Sequence, residues 1–305
     1  MKKKFFVLLR ALRVSQWVKN LVVFTAIIFS GKLFDWPIFV NTLYAFFIFC
    51  LLSSTSYVLN DIIDYPYDRK HKIKRYRPIA SGEISLQQAS FLVFVLTLGS
   101  LILSLFFSMP FFLLSLVFIL LHFFYSLYLK KHPTIDIFTI SFSFMIRTFA
   151  GEVASGFHIP IWLVLTIFFI SLFMASVKRH AELVTHGAET RESLFLYKEH
   201  YLDFLTQTFA AATILAYATY TYVEKPPQIQ TMFSSFISEA FPGFEARKWM
   251  MLSIPLVVYG IARYAQLLYE KEEGERPEKL ITTDIPLIIT IGLWGAIVIS
   301  LIYVL

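Results

Sequence analysis

The chain has a single cysteine, Cys50, among its 305 residues. That excludes an intramolecular disulfide and a cysteine-built metal cluster. Charge is scarce as well. Only 16% of residues are Asp, Glu, Lys or Arg, against about 25% in an ordinary soluble domain. Long polar stretches are few, at about 61–86, 178–203, 224–249 and 270–284, so no separate soluble domain is expected. No short-period repeat or low-complexity run is present.

What fills the space is apolar. Hydrophobic residues make up 57% of the chain, with 33 phenylalanines, and the mean hydropathy is +0.65. A soluble fold of this size would struggle to bury so many rings, whereas lipid-facing and helix-packing positions absorb them. The apolar stretches approach the roughly 20 residues needed to cross a hydrocarbon core of about 30 Å. Nine spans are predicted, at 17–33, 38–59, 88–108, 111–129, 135–156, 159–177, 204–223, 250–269 and 285–305. Pro110 marks a tight turn between the third and fourth, and Gly156 to Pro160 another between the fifth and sixth. The expectation is an all-α, polytopic, single integral membrane domain over 1–305. The start, Met1-Lys2-Lys3-Lys4, invites a cleaved-leader reading. Arg10, Arg13 and Lys19 interrupt that stretch and no small-residue cleavage site follows, so a first span is expected instead.

The cations set an orientation. With the N-terminus cytoplasmic, 22 of the 27 Lys and Arg residues fall inside, and four fall outside: Lys32, Lys225, Arg247 and Lys248. Arg147 lies within a span. A split this uneven predicts a multi-pass protein of the cell (inner) membrane, with its N-terminus in and its C-terminus out. The net charge of +6 needs no nucleic acid, because basic loops facing anionic membrane lipids account for it.

The most informative stretch, Asn60-Asp61-Ile62-Ile63-Asp64-Tyr65-Pro66-Tyr67-Asp68-Arg69, ends the second span. Asn60, Asp64 and Asp68 lie at i, i+4 and i+8, on one face of a helix. Stacked oxygen-bearing side chains suit a hard cation such as Mg²⁺, which keeps waters and substrate phosphates in its shell. The bland alternative is a solvated helix end, and Pro66 interrupts the geometry. Lys74-Arg75-Tyr76-Arg77 follows directly. Such cations can grip lipid headgroups, yet acids for a metal beside cations for phosphate are what a diphosphate substrate needs.

Asn60–Asp64–Asp68 followed by Lys74-Arg75-Tyr76-Arg77-Pro78-Ile79-Ala80-Ser81-Gly82 resembles the first motif of the UbiA-type intramembrane prenyltransferases. That resemblance implies nine helices around a central cavity open to lipid, with Mg²⁺ and a diphosphate held by two aspartate-rich motifs. The second motif departs from the pattern. Where the family carries DxxxD, at the end of the sixth span, this chain reads Lys178-Arg179-His180-Ala181-Glu182. One acid and two cations replace two acids, which points to a donor carrying additional phosphate. Gln16-Trp17-Val18-Lys19-Asn20, Lys178 to Leu183, and Arg263-Tyr264-Ala265 with Arg276-Pro277-Glu278 are similar to the decaprenyl-phosphate phosphoribosyltransferase branch. Its members transfer 5-phosphoribose from phosphoribosyl diphosphate (PRPP) to a polyprenyl phosphate.

The resemblance implies a metal site drawn from Asn60, Asp61, Asp64, Asp68 and Glu182, with Asp64 and Asp68 central to catalysis. Lys74, Arg77, Lys178 and Arg179 are expected on the donor's phosphates, and Lys19 on the polyprenyl phosphate. The alternative donor is a prenyl diphosphate with an aromatic acceptor, and a homo-oligomer is left open. Tyr125 and Lys130 match a recurrent family stretch, where Lys130 either meets phosphate or anchors the interface. Arg147 lies 12 residues into the fifth span. A cation at that depth marks a functional site by default, with a structural pairing as the alternative. Asp136, just after Pro133-Thr134, reads as helix capping and stabilisation of the helix dipole, with a catalytic role as the alternative.

Overall fold

The computed structural model describes residues 2–71, 73–186, 197–225, 227, 239, 249–271 and 283–304. Lys72, Arg191, Arg247, Lys248 and the Arg276-Pro277-Glu278 stretch lie outside the described residues. Among those described, every regular element is helical. Helix α1 (Lys2–Ala11) leads into a 3-10 segment (Val14–Phe24) that continues as α2 (Thr25–Phe29). There follow α3 (Trp36–Ile63), the single turn α4 (Tyr65–Asp68), α5 (Leu86–Phe107), α6 (Met109–Leu127), α7 (Ile135–Ser155) and α8 (Ile161–His186). The remainder is α9 (Glu199–Val223), α10 (Ile254–Lys271) and α11 (Ile285–Tyr303).

Local chemistry fixes the ends. Ser85 and Gln88 form a reciprocal capping box at the start of α5. Ser108 closes α5 and caps α6 through the Phe111 amide at 3.3 Å, with Pro110 in the first turn. That one residue makes the sharp reversal expected there. Asp284 caps α11 through the Leu287 amide at 3.0 Å. Gly156, at φ 76°, ends α7 in the left-handed region.

Each predicted span falls on helix, but length and composition do not reach nine. Among the described residues six helices are long and apolar enough to cross a membrane: α3, α5, α6, α7, α8 and α11. A seventh is the N-terminal pair, bent by 52° between α1 and the 3-10 segment. Helix α9 carries Thr and Tyr through its length, and the apolar part of α10 with the turn before it is short (Met251–Leu267).

Burial separates the helices by role. Half of the most apolar window of α3, α7 and α8 is buried, against 11% for α5 and 22% for α6. The last two turn Phe91, Phe94, Phe106, Phe123 and Phe124 outward, while Phe111 and Phe118 of α6 are buried against α3. Helix α3 packs on α5, α6 and α7, and α8 on α7 and α9. This brings the C-terminal ends of α3 and α8 and the N-terminal end of α7 together.

The 3-10 segment is unusually long, since such runs rarely exceed 3–4 residues. Its period of three puts Trp17, Asn20 and Val23 on one straight face. Trp17 Nε1 donates to Ser54 Oγ at 3.0 Å, and Asn20 meets Cys50 and Ser53. Val23 presses its carbonyl onto Gly151 of α7, where an added Cβ would lie 2.1 Å from that oxygen. Only glycine admits this crossing.

Candidate active site

The acidic stretch forms one nearly continuous helical end. Asp64 closes α3, and the Asp68 amide donates to the Asp64 carbonyl at 2.9 Å, so the turn carries on past Pro66. The carboxylates divide between two sets of cations. Arg77 Nη1 donates to Asp61 Oδ1 at 3.0 Å and to Asp68 Oδ2 at 2.7 Å. Arg13 meets the same oxygen of Asp61, and its guanidinium lies 4.9 Å from the Tyr57 ring centroid. Asp64 accepts from Lys130 Nζ at 2.5 Å and from Asn60 Nδ2 at 2.8 Å, and Lys130 also reaches Asn60 Oδ1 at 3.3 Å. Lys130 thus touches the acidic motif rather than only the membrane interface.

At the end of α8, Arg179 is 2% exposed and forms an ion pair with Asp136, Nε to Oδ2 at 2.9 Å, off the hydrogen-bond axis. Its Nη1 donates to Glu182. Asp136 is 0% exposed and also accepts from the Tyr197 hydroxyl at 2.7 Å. The helix-cap expectation for Asp136 is corrected: Thr134 is the N-cap without a side-chain cap bond, and Asp136 serves a buried ion pair instead. Burial, then the Asp136 charge, pushes the Tyr197 phenol above its ordinary range, so it keeps its proton and donates.

Two ammonium groups connect the halves. Lys74, beside the first motif, interacts electrostatically with Glu182 as well as with Asp68 and Asp64. Lys178, on the second, interacts with Glu182, Lys19, Arg179 and Tyr125. Lys19 and Lys178 both act on Tyr57 of α3. The two helix ends, Lys19 of the 3-10 segment and Tyr125 of α6 therefore face one electrostatic space. Burial, then Arg77, lowers the Lys74 ammonium below its ordinary range.

Arg147 also acts on Tyr57, but its hydrogen bonds run to other residues. Its Nε donates to Asn20 at 2.7 Å, Nη1 to the Ser143 carbonyl and hydroxyl at 2.8 and 2.9 Å, and Nη2 to Ser53 at 3.3 Å. The guanidinium also lies 4.6 Å from the Phe118 centroid. It ties the 3-10 segment, α3 and α7 together. Arg263, in the branch-like stretch of α10, forks onto Asp284 at 3.2 and 2.7 Å.

Magnesium would find oxygen donors in Asp64 and Asp68, one helical turn apart. No group of three or more His, Cys, Asp or Glu converges on a metal position among the described residues. The donor set still fits an ion that takes one or two carboxylates and completes its shell with water and substrate phosphate. Sequence reasoning passed over Arg13, Tyr57 and Tyr197. Their partners are distant in the chain, and no spacing rule connects them.

Helices gathered about one cation- and carboxylate-lined end define a class, a multi-pass membrane transferase. The particular family follows: the chain belongs to the UbiA prenyltransferase family, whose model matches residues 21–184. It is 32% identical to the decaprenyl-phosphate phosphoribosyltransferase of Corynebacterium glutamicum, over 98% of this chain and 87% of that one. The enzyme of the same name from Mycolicibacterium smegmatis is 32% identical over 91% of this chain and 86% of its own. Among solved structures, a UbiA homolog from Archaeoglobus fulgidus bound to GPP and Mg²⁺ has the same fold. Its TM-score is 0.67, with 19% identity, over 97% of this chain and 99% of that one.

Proposed function

We propose that the protein transfers 5-phosphoribose from PRPP to a polyprenyl phosphate of the decaprenyl type, with Mg²⁺, at the cytoplasmic face of the cell membrane. The observation that carries this reading is the second helix end. It presents Lys178, Arg179 and Glu182 beside Lys74, in place of two acids. A donor with a 5-phosphate as well as a diphosphate brings more negative charge for Lys74 and Lys178 to meet. The two relatives named for this activity align along nearly the whole chain.

In this reading Lys74, after the first motif, and Lys178, on α8, bind the donor's phosphate oxygens. Arg77 and Lys130 orient the carboxylates of Asp61, Asp64 and Asp68. Asp64 and Asp68 would hold magnesium, with Asn60, Asp61 and Glu182 as further candidate ligands, and the ion would supply neutralisation for the leaving diphosphate. Lys19, beside Tyr57, meets the acceptor phosphate, while its tail lies among the apolar helices. An acceptor phosphate oxygen attacks the anomeric carbon of the ribose, and the bond from that carbon to the diphosphate oxygen breaks. The acceptor is already anionic and needs no strong base. Rate enhancement comes from positioning and from fixed charges around the leaving group.

The test is a transfer assay. Purified protein with labelled PRPP, polyprenyl phosphate and Mg²⁺ forms a lipid-linked phosphoribose and releases diphosphate. No such product, together with turnover of a prenyl diphosphate and an aromatic acceptor, contradicts the reading and favours the donor class seen in the Archaeoglobus neighbour. The cytoplasmic N-terminus is proposed on the 22-to-4 charge split. Single cysteines placed at Lys32 and at Ser81, in a Cys50→Ala background, label from outside and inside respectively. The reverse pattern overturns the orientation.

A further inference from the structure

Arg179 and Glu182 stand where the second acidic motif belongs, and the group that fixes them comes from another helix. Asp136, in the first turn of α7, is 0% exposed and holds Arg179 Nε at 2.9 Å. On its other oxygen it accepts the Tyr197 hydroxyl at 2.7 Å. Tyr197 is fixed in turn, because its oxygen accepts the Thr134 amide at 2.5 Å. Thr134 sits at φ 68°, a conformation a β-branched residue rarely adopts, and its hydroxyl meets Tyr201 at 2.9 Å. The opposite edge of Arg179 donates to Glu182.

A buried guanidinium between two carboxylates has its charge met and its donors directed. It exerts little pull on a phosphate. Lys74 and Lys178 differ: neither ammonium has an ion-pair partner within 4.0 Å among the described residues, and both feel Glu182. We propose that Asp136 is a positioning residue that assigns the roles of this motif. It withdraws Arg179 from the phosphate and makes it the holder of Glu182. Lys74 and Lys178 are then the two cations that grip the donor's diphosphate. The inference rests on the reading above only for a diphosphate-bearing donor.

Inorganic diphosphate with Mg²⁺ is therefore the probe, titrated calorimetrically into the full chain in detergent. Asp136→Asn is expected to weaken diphosphate binding about tenfold, roughly 1.4 kcal/mol. Arg179→Lys weakens it to a similar degree, and the double variant is no worse than either single one, because both act through Glu182. Lys178→Gln weakens binding at least as much. Affinity for a polyprenyl phosphate, measured in the same preparations, stays within about twofold, whereas loss of structure would lower both affinities. Tyr197→Phe keeps every charge and shifts diphosphate affinity less, in the same direction, so it serves if Asp136→Asn does not fold. Weakening by Arg179→Lys alone, with Asp136→Asn and Tyr197→Phe unchanged, overturns the proposal and puts Arg179 on the phosphate. Wild-type protein that binds diphosphate but makes no phosphoribosyl lipid contradicts the donor reading alone; wild-type protein that binds no diphosphate contradicts both.

Discussion

Lys74 illustrates how one side chain's surroundings set its chemistry. Burial, then the neighbouring Arg77, lowers its pKa, while Glu182, Asp68 and Asp64 oppose the shift. A lysine so placed loses its proton at a lower pH than an exposed one. Where its charge grips phosphate, donor affinity falls as pH rises through that lowered value, before an ordinary lysine titrates. Between the folded and unfolded pKa values the unfolded chain holds the extra proton, so this residue's contribution to stability increases with pH while binding declines. Lys74→Arg removes the titration, because guanidinium stays charged. A diphosphate affinity profile from pH 7 to 10 should decline less steeply for the variant than for the wild type, because Lys178 still titrates in both. Equal profiles would show that Lys74 does not carry the charge. Asn60, Asp64 and Asp68 were legible as a group from their spacing, and Asp61 only through the family resemblance. That Arg77 spans Asp61 and Asp68 while Lys130 takes Asp64 was not, since helical periodicity places side chains on a face without naming their partners. Arg147 was legible only as a costly cation; its hydrogen bonds to Asn20 and Ser53 come from segments far along the chain.

At the level of elements, hydropathy located every long helix among the described residues, and Pro110 and Gly156 to Pro160 marked turns where the chain does reverse. The geometry of the N-terminal segment was not visible. A 3-10 run of 11 residues differs from an α-helix in rise and in the face each residue presents, and composition does not encode that choice. The Gly151 crossing explains what the segment gains, because the 3-10 face lets Val23, Asn20 and Trp17 all meet α3 and α7. Gly151→Ala must push the Val23 carbonyl away and is expected to destabilise the protein by about 1–3 kcal/mol. It should also impair activity, because Asn20 and Lys19 move with the segment. Thermal unfolding in detergent measures the first effect, and an unchanged melting temperature would show that the crossing is loose. Helices α9 and α10 set the limit of reading spans from hydropathy. Their Thr, Tyr and charged residues bind neighbouring helices, as in the Tyr217 hydroxyl, 2.7 Å from Ser253 and accepting from Trp294 at 2.8 Å.

Across the whole molecule, the family and its fold leave one choice, the donor. The acid-rich end of α3 is common to a diphosphate enzyme of either kind, and the cation-rich end of α8 favours the donor with more phosphate. Both ends were visible in the sequence because each is short and local. Their meeting around Lys74, Lys178 and Glu182 depends on how α3, α7 and α8 pack, which no local pattern records. Ligand-linked stabilisation reads the choice directly, since a ligand at a hundredfold its dissociation constant adds about 2.7 kcal/mol to the folded state. The decisive measurement is the melting temperature of the detergent-solubilised protein with Mg²⁺, with PRPP added in one sample and geranyl diphosphate in another. The account predicts a rise with PRPP and none with geranyl diphosphate, and a rise with geranyl diphosphate alone would contradict it.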